Sequence, residues 1–152
     1  MKANELMVGD IFMVNKDVSF KNGTIVMVHG IDADRRFHEL KGCATCVAID
    51  DQDEMQGGVW LDYLDPIPLT PEILEKNGFK KCAGNERSVF KYEDDDYTKK
   101  ALYQVLWSAN ELYLEIAPYT SKTGEFNRFG VEFVHQLQHA LRLCGIEKDI
   151  EL

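Results

Sequence analysis

Positive charge is scarce in this sequence. Its 17 Lys and Arg stand against 26 Asp and Glu, a formal net charge of −9. The deficit is general: residues 1–69 hold 6 basic against 12 acidic side chains, and residues 70–152 hold 11 against 14. Basic residues fall in scattered pairs, Arg35-Arg36, Lys80-Lys81 and Lys99-Lys100. A protein that grips duplex nucleic acid concentrates Lys and Arg to displace counterions from phosphates. The bulk charge therefore argues against a general nucleic-acid binder. An acidic surface favours a basic partner protein instead.

Long apolar runs are also missing. No segment approaches the roughly 18 apolar residues of a membrane-spanning helix. The opening Met1-Lys2-Ala3-Asn4-Glu5 lacks the apolar stretch of a secretory signal. The expectation is a cytoplasmic protein. Only four cysteines occur among 152 residues. In a reducing compartment they are expected as free thiols. A chain of this length buries about 68–70% of its unfolded surface if it folds as one unit, so disulfides or metal are not required for stability. Apolar residues make up 45% of the chain and charged ones 28%, which excludes extended disorder.

Several catalytic signatures are absent. Gly57-Gly58 lacks the downstream Lys-Ser/Thr of a phosphate-binding loop, and no GxSxG nucleophile elbow is present. No cofactor is expected.

The residues present give an α+β pattern. Asp65-Pro66-Ile67-Pro68 is the best internal boundary, since two prolines forbid helix and interrupt a sheet ladder. It separates a β-rich subdomain, 1–68, from an α+β subdomain, 69–152. In the first, Val8-Gly9-Asp10 reads as a turn, Ile11–Val14 as a strand and Lys21-Asn22-Gly23 as a turn. Further strands are predicted at 24–31, 37–40, 45–49 and 59–64. Five short strands with tight turns predict a small antiparallel barrel.

In the second subdomain Thr70 reads as a helix N-cap, Pro71 as the first helical residue and Glu72 as a favourable first-turn acid. Leu69 and Leu74 have the spacing of a hydrophobic staple, and Gly78 of a left-handed stop. Strands are predicted at 87–92, 101–108 and 111–117, with Ser108-Ala109-Asn110 as a hairpin turn. Residues 118–129 read as a polar, Gly-containing loop, with a short strand as the alternative. Val134, Leu137, Ala140, Leu141 and Cys144 form the apolar stripe of a C-terminal helix over 131–144.

Three stretches carry a resemblance: the opening MKANELMVGD, the run LTPEILEKNGFKK at 69–81, and VHQLQHALRLCGIEKDIEL at 134–152. They resemble a family of uncharacterised proteins from Bacteroidales genomes, prophages and mobile elements. The resemblance implies a phage or mobile-element setting and a shared fold. It carries no catalytic residues. The opening turn also resembles the first strand of SH3-like barrels, which implies that fold for the first subdomain.

Four constellations are candidates for chemistry. His135 and His139 lie four apart on the C-terminal helix, the spacing of zinc hydrolases. Gln136 follows the first His where those enzymes carry Glu, and Gln cannot take a proton from bound water. The alternative is a pair of packed, hydrogen-bonded imidazoles. Cys43-Ala44-Thr45-Cys46 is a lone CxxC that His29 and His38 precede as added ligands. Its strand-rich context disfavours thioredoxin-type chemistry, and compact buried cysteines are the alternative. Asp50, Asp51, Asp53 and Glu54 form one acidic run, and Glu93, Asp94, Asp95 and Asp96 a second. The first does not match the EF-hand pattern. Either run is a solvated turn or a negative patch for a basic partner. Trp60, Trp107, Phe126 and Phe129 are expected in core or turn packing, and Tyr92, Tyr97 and Tyr103 in a groove or the core.

The sequence therefore points to a non-catalytic binding or adaptor protein that engages another protein through acidic patches. A nucleic-acid accessory module using the barrel is one alternative. A metal-dependent hydrolase centred on His135 and His139 is the other.

Overall fold

A computed structural model describes residues 5–49, 56–82, 88–92, 101–107, 112–118, 127–143 and 148–152. The chain divides into two compact units, residues 1–67 and 68–152. The architecture is α+β, with two antiparallel sheets and two α-helices among the described residues.

In the first unit, β1 (Ile11–Val14), β2 (Ile25–Phe37), β3 (Leu40–Ala48), β4 (Gln56–Trp60) and β5 (Leu64–Pro66) form one sheet, ordered β4-β3-β2-β1-β5. Strand alternation sends Phe12, Val14, Val26, Val28, Ala44, Cys46, Ala48 and Val59 to one buried face. Leu6, Phe20, Leu61 and Leu64 complete that core. Each fully buried Phe, Leu or Val contributes about 1.5–3 kcal/mol relative to exposure.

The turn into β1 matches expectation. Gly9 adopts φ 89°. The buried Asp10 carboxylate accepts the Met7 N–H at 2.7 Å, and its backbone carbonyl accepts the Val28 N–H at 2.9 Å. Asp10 thus holds the turn and starts the β1–β2 pairing together. Gly23 likewise turns at φ 87°, donating its N–H to the Val14 carbonyl at 2.7 Å.

Several sequence expectations are corrected here. The sheet is open, with β4 and β5 as its edges, and is not a closed barrel. Residues 37–40 are not a strand of their own. Phe37 ends β2, Leu40 begins β3, and His38 and Glu39 form the turn between them. Residues 59–64 are not one strand either, because a 3-10 turn over Leu61–Tyr63 separates β4 from β5. Pro66 does lie in a sheet, opposite Phe12. It is tolerated because β5 is an edge strand with no ladder bond to lose on its outer side.

The second unit carries β6 (Lys80–Cys82), β7 (Ser88–Tyr92), β8 (Ala101–Trp107), β9 (Leu112–Pro118) and β10 (Asn127–Gly130) as an antiparallel meander in chain order. β6 was not expected, and β10 overlaps the end of the polar stretch, where a short strand was the alternative to loop. The hairpin turn expected at 108–110 lies outside the described residues.

Helix α1 (Pro71–Lys76) forms as its signals require. The Thr70 hydroxyl accepts the Ile73 N–H at 3.3 Å, and Leu69 and Leu74 are both buried. Exposed Glu72 has a lowered carboxyl pKa, because its own backbone N–H and the Thr70 hydroxyl bond its charged form. At the other end the Phe79 N–H reaches the Leu74 carbonyl and the Gly78 N–H the Glu75 carbonyl, each at 3.0 Å, with Gly78 at φ 82°. This is a Schellman stop. Replacing Thr70 with Ala is expected to cost about 0.5–2 kcal/mol, read as a lower urea midpoint at unchanged slope.

Helix α2 (Val134–Leu143) buries Val134, Leu137, Ala140 and Leu141, the expected stripe; Cys144 lies outside the described residues.

Candidate functional site

Strands β2 and β3 run past the core as a long hairpin. Two irregularities redirect β2. One lies between Val28 and Gly30, the other between Asp32 and Arg36, where β2 carries more residues than β3 opposite. Extra residues in one strand of a pair bend it and re-aim its side chains. The Asp32 carboxylate accepts the Arg35 N–H at 3.1 Å. The Arg36 guanidinium donates to the Ala33 and Arg35 carbonyls at 2.7 and 3.0 Å. At the tip His38 adopts φ 53°, a left-handed conformation uncommon for a residue with a side chain.

This bend brings Arg35 and Phe37 against Trp60, which is distant in sequence. Phe37, 58% exposed, stacks on Trp60 of β4 with ring centroids 6.2 Å apart and planes 23° apart. The Arg35 guanidinium carbon lies 5.7 Å from the Trp60 ring centroid, within cation–π range. His38 meets Phe37 edge-on at 4.4 Å. Arg36 and Lys41 face each other across β2 and β3 near the tip and are exposed. Trp60 pairs with Cys43 in the β3–β4 register, on the sheet face opposite Val59 and the core. Of the two expected roles, core or turn packing, Trp60 therefore takes the second, beside the β2–β3 turn. It is half-buried and faces Arg35 and Phe37. Sequence reading treated Arg35-Arg36 as a scattered pair and missed this cluster. Its only local signal was Arg-Arg-Phe-His running into a hairpin turn.

The CxxC pair is split. Residues three apart on a strand point to opposite faces. Cys46 packs in the core while Cys43 lies on the Trp60 side. Cys43, Cys46 and Cys82 are free thiols. Burial pushes the Cys46 thiol up to about 12. Burial also raises Cys43, although the Arg35 charge opposes it. Both are expected to resist alkylation near pH 8, while Cys82, partly exposed, reacts before them by peptide mapping with iodoacetamide. The sign follows from ionisation. Keeping the Cys46 thiol neutral stabilises the fold fully below its ordinary pKa of 9.0, and that contribution is lost as pH rises from there through about 12.

The histidine pair is close but engaged in packing. The His135 and His139 rings meet edge-on at 5.8 Å, and Phe133 stacks on His135 at 5.9 Å. Gln136, at the position of a catalytic base in zinc hydrolases, caps the helix. Its side-chain oxygen accepts the N–H groups of Glu132 at 2.7 Å and Phe133 at 3.2 Å. Among the described residues no group of three His, Cys, Asp or Glu side chains could hold a metal, so neither histidine pair nor CxxC finds its remaining ligands there.

The acidic runs Asp50, Asp51, Asp53, Glu54 and Glu93, Asp94, Asp95, Asp96 lie outside the described residues. In sequence they fall between the antiparallel neighbours β3 and β4 and between β7 and β8. Phe126 and Tyr97 also lie outside. For Trp107, Phe129, Tyr92 and Tyr103 only the strand positions are described. No described helix is long and apolar enough to cross a membrane.

Comparison with protein-family models, with curated proteins and with solved structures found no match to this chain.

Proposed function

We propose that this chain is a non-catalytic binding protein of phage or mobile-element origin that engages another protein through an acidic surface. The observation that supports this reading is the distribution of charge. The chain carries −9 overall, and both acidic runs fall in connections between paired strands. Such connections run over the surface and carry recognition residues more often than the strands they join. Complementary charge speeds encounter with a basic partner and repels acidic ones.

The test neutralises one run: Asp50→Asn, Asp51→Asn and Asp53→Asn with Glu54→Gln. Binding to an immobilised Lys/Arg-rich protein is measured against salt. The reading expects the variant to lose affinity, and the native chain to lose it as salt rises. Equal, salt-resistant binding by both proteins would overturn it.

A second reading, a nucleic-acid accessory module, is favoured by one specific observation. The Arg35, Phe37 and Trp60 cluster combines cations with exposed π surface. In the same reading the first unit is SH3-like, which the order β4-β3-β2-β1-β5 and the 3-10 turn before β5 support. The metal-hydrolase alternative has no comparable support, because the described residues provide no third ligand.

A further inference from the structure

We infer that the β2–β3 hairpin tip is a stacking site for single-stranded nucleic acid, with Phe37 and Trp60 as the platform and Arg35, Arg36 and Lys41 as the phosphate contacts. The inference rests on the second reading above and assigns it residues.

Charge is the first argument. Residues 1–67 contain six Lys and Arg, and three of them, including both arginines, fall within residues 35–41 beside a single carboxylate, Glu39. An acidic chain thus concentrates half of that unit's permanent cations at one hairpin tip.

Shape is the second argument. Phe37 is 58% exposed although it stacks on Trp60 at 6.2 Å, so the pair is preassembled while much of its π surface stays open. Arg35 extends the platform over Trp60. Each nucleotide of a single strand offers one anion and one flat face, the pair of features the tip offers in complement. An acidic peptide supplies anions without a flat face at each residue. A duplex keeps its base faces inside the helix.

Nearby acids set the character of binding. Asp32 and Asp34 approach the tip from β2, and the Asp32 carboxylate is occupied by the Arg35 N–H. Over residues 32–41 three cations therefore meet three carboxylates. Stacking, rather than counterion release, dominates. One or two phosphates are neutralised, giving a log-affinity slope against log salt between about −0.7 and −1.4.

The experiment uses the full chain and a fluorescently labelled oligothymidylate of about ten nucleotides, read by anisotropy. The same-length duplex and a Glu/Phe peptide are competitors. Binding of the strand, weakened about tenfold by Phe37→Ala and severalfold by Arg35→Gln, with the shallow salt slope and no competition by duplex, is the expected result. Both side chains are exposed, so these variants retain the fold, and circular dichroism checks it. Strand binding that Phe37→Ala and Arg35→Gln leave unchanged would overturn the hairpin assignment while sparing the nucleic-acid reading. Failure to bind the strand at millimolar concentration would overturn both. Displacement by the peptide in preference to unlabelled strand would also overturn the inference, assigning the tip to a protein partner.

Discussion

Asn77→Ala is expected to lower the stability of the second unit by about 2–4 kcal/mol. Asn77 is buried at the C-cap of α1. Its amide nitrogen donates to the Ile73 carbonyl at 2.8 Å and to the Glu151 carbonyl at 2.7 Å, while its oxygen accepts the Glu151 N–H at 2.9 Å. One side chain therefore satisfies both backbone groups of a residue 74 positions away. Ala removes all three of these part-buried bonds at once. The cost is not conformational, because Asn77 sits at φ −89°, ψ 16°, which Ala adopts without strain. Lys76 also bonds the Leu152 carbonyl, but from an exposed position, so Lys76→Met is expected to change stability by under about 0.5 kcal/mol. Urea unfolding with hydrogen exchange at residues 148–152 checks both. Exchange there should accelerate in Asn77→Ala. A shift below about 0.5 kcal/mol for that variant would show that the clamp does not hold the segment.

Gly42→Ala is the second large effect, at about 2–4 kcal/mol, and Gly23→Ala is its control. Both glycines have positive φ, 74° and 87°. An L side chain in that region costs roughly 1–2 kcal/mol. At Gly23 a Cβ meets nothing within 4 Å, so the conformational cost is the whole cost. At Gly42 it lies 2.7 Å from Leu61 Cδ1 and 3.2 Å from Cγ. Leu61 is 1% exposed and belongs to the core of the first unit, so its side chain has little room to yield. The difference between the variants reports the overpacking alone. Equal unfolding midpoints for the two would show that Leu61 relaxes freely.

The legibility of this chain followed the range of the interaction. Thr70, Pro71 and Gly78 announced α1 because N-capping, proline's fixed φ and the left-handed stop act over a few bonds. Gly23 announced its turn for the same reason, and Val134, Leu137 and Leu141 announced α2 through helical periodicity. Register was not legible. A slip of one residue reverses every side chain on a strand. Cys43 and Cys46 therefore looked like a pair in sequence and lie on opposite faces in the sheet. Phe37 and Leu40 looked like a strand because both are apolar, while the ladder instead uses them as the last pair before a turn.

The sequence by itself determined the α+β composition, the caps of α1, the apolar stripe of α2 and the net charge of −9. Those follow from backbone sterics, side-chain periodicity and a count. Only the tertiary structure decided that β2 bends past the core, that Trp60 meets Arg35 and Phe37, that Gln136 caps a helix, and that Asn77 holds Glu151. Each of these depends on which strands pair, in which register, and on which distant backbone groups need a partner once buried. Such energies arise between residues far apart in the chain, and no local pattern encodes them.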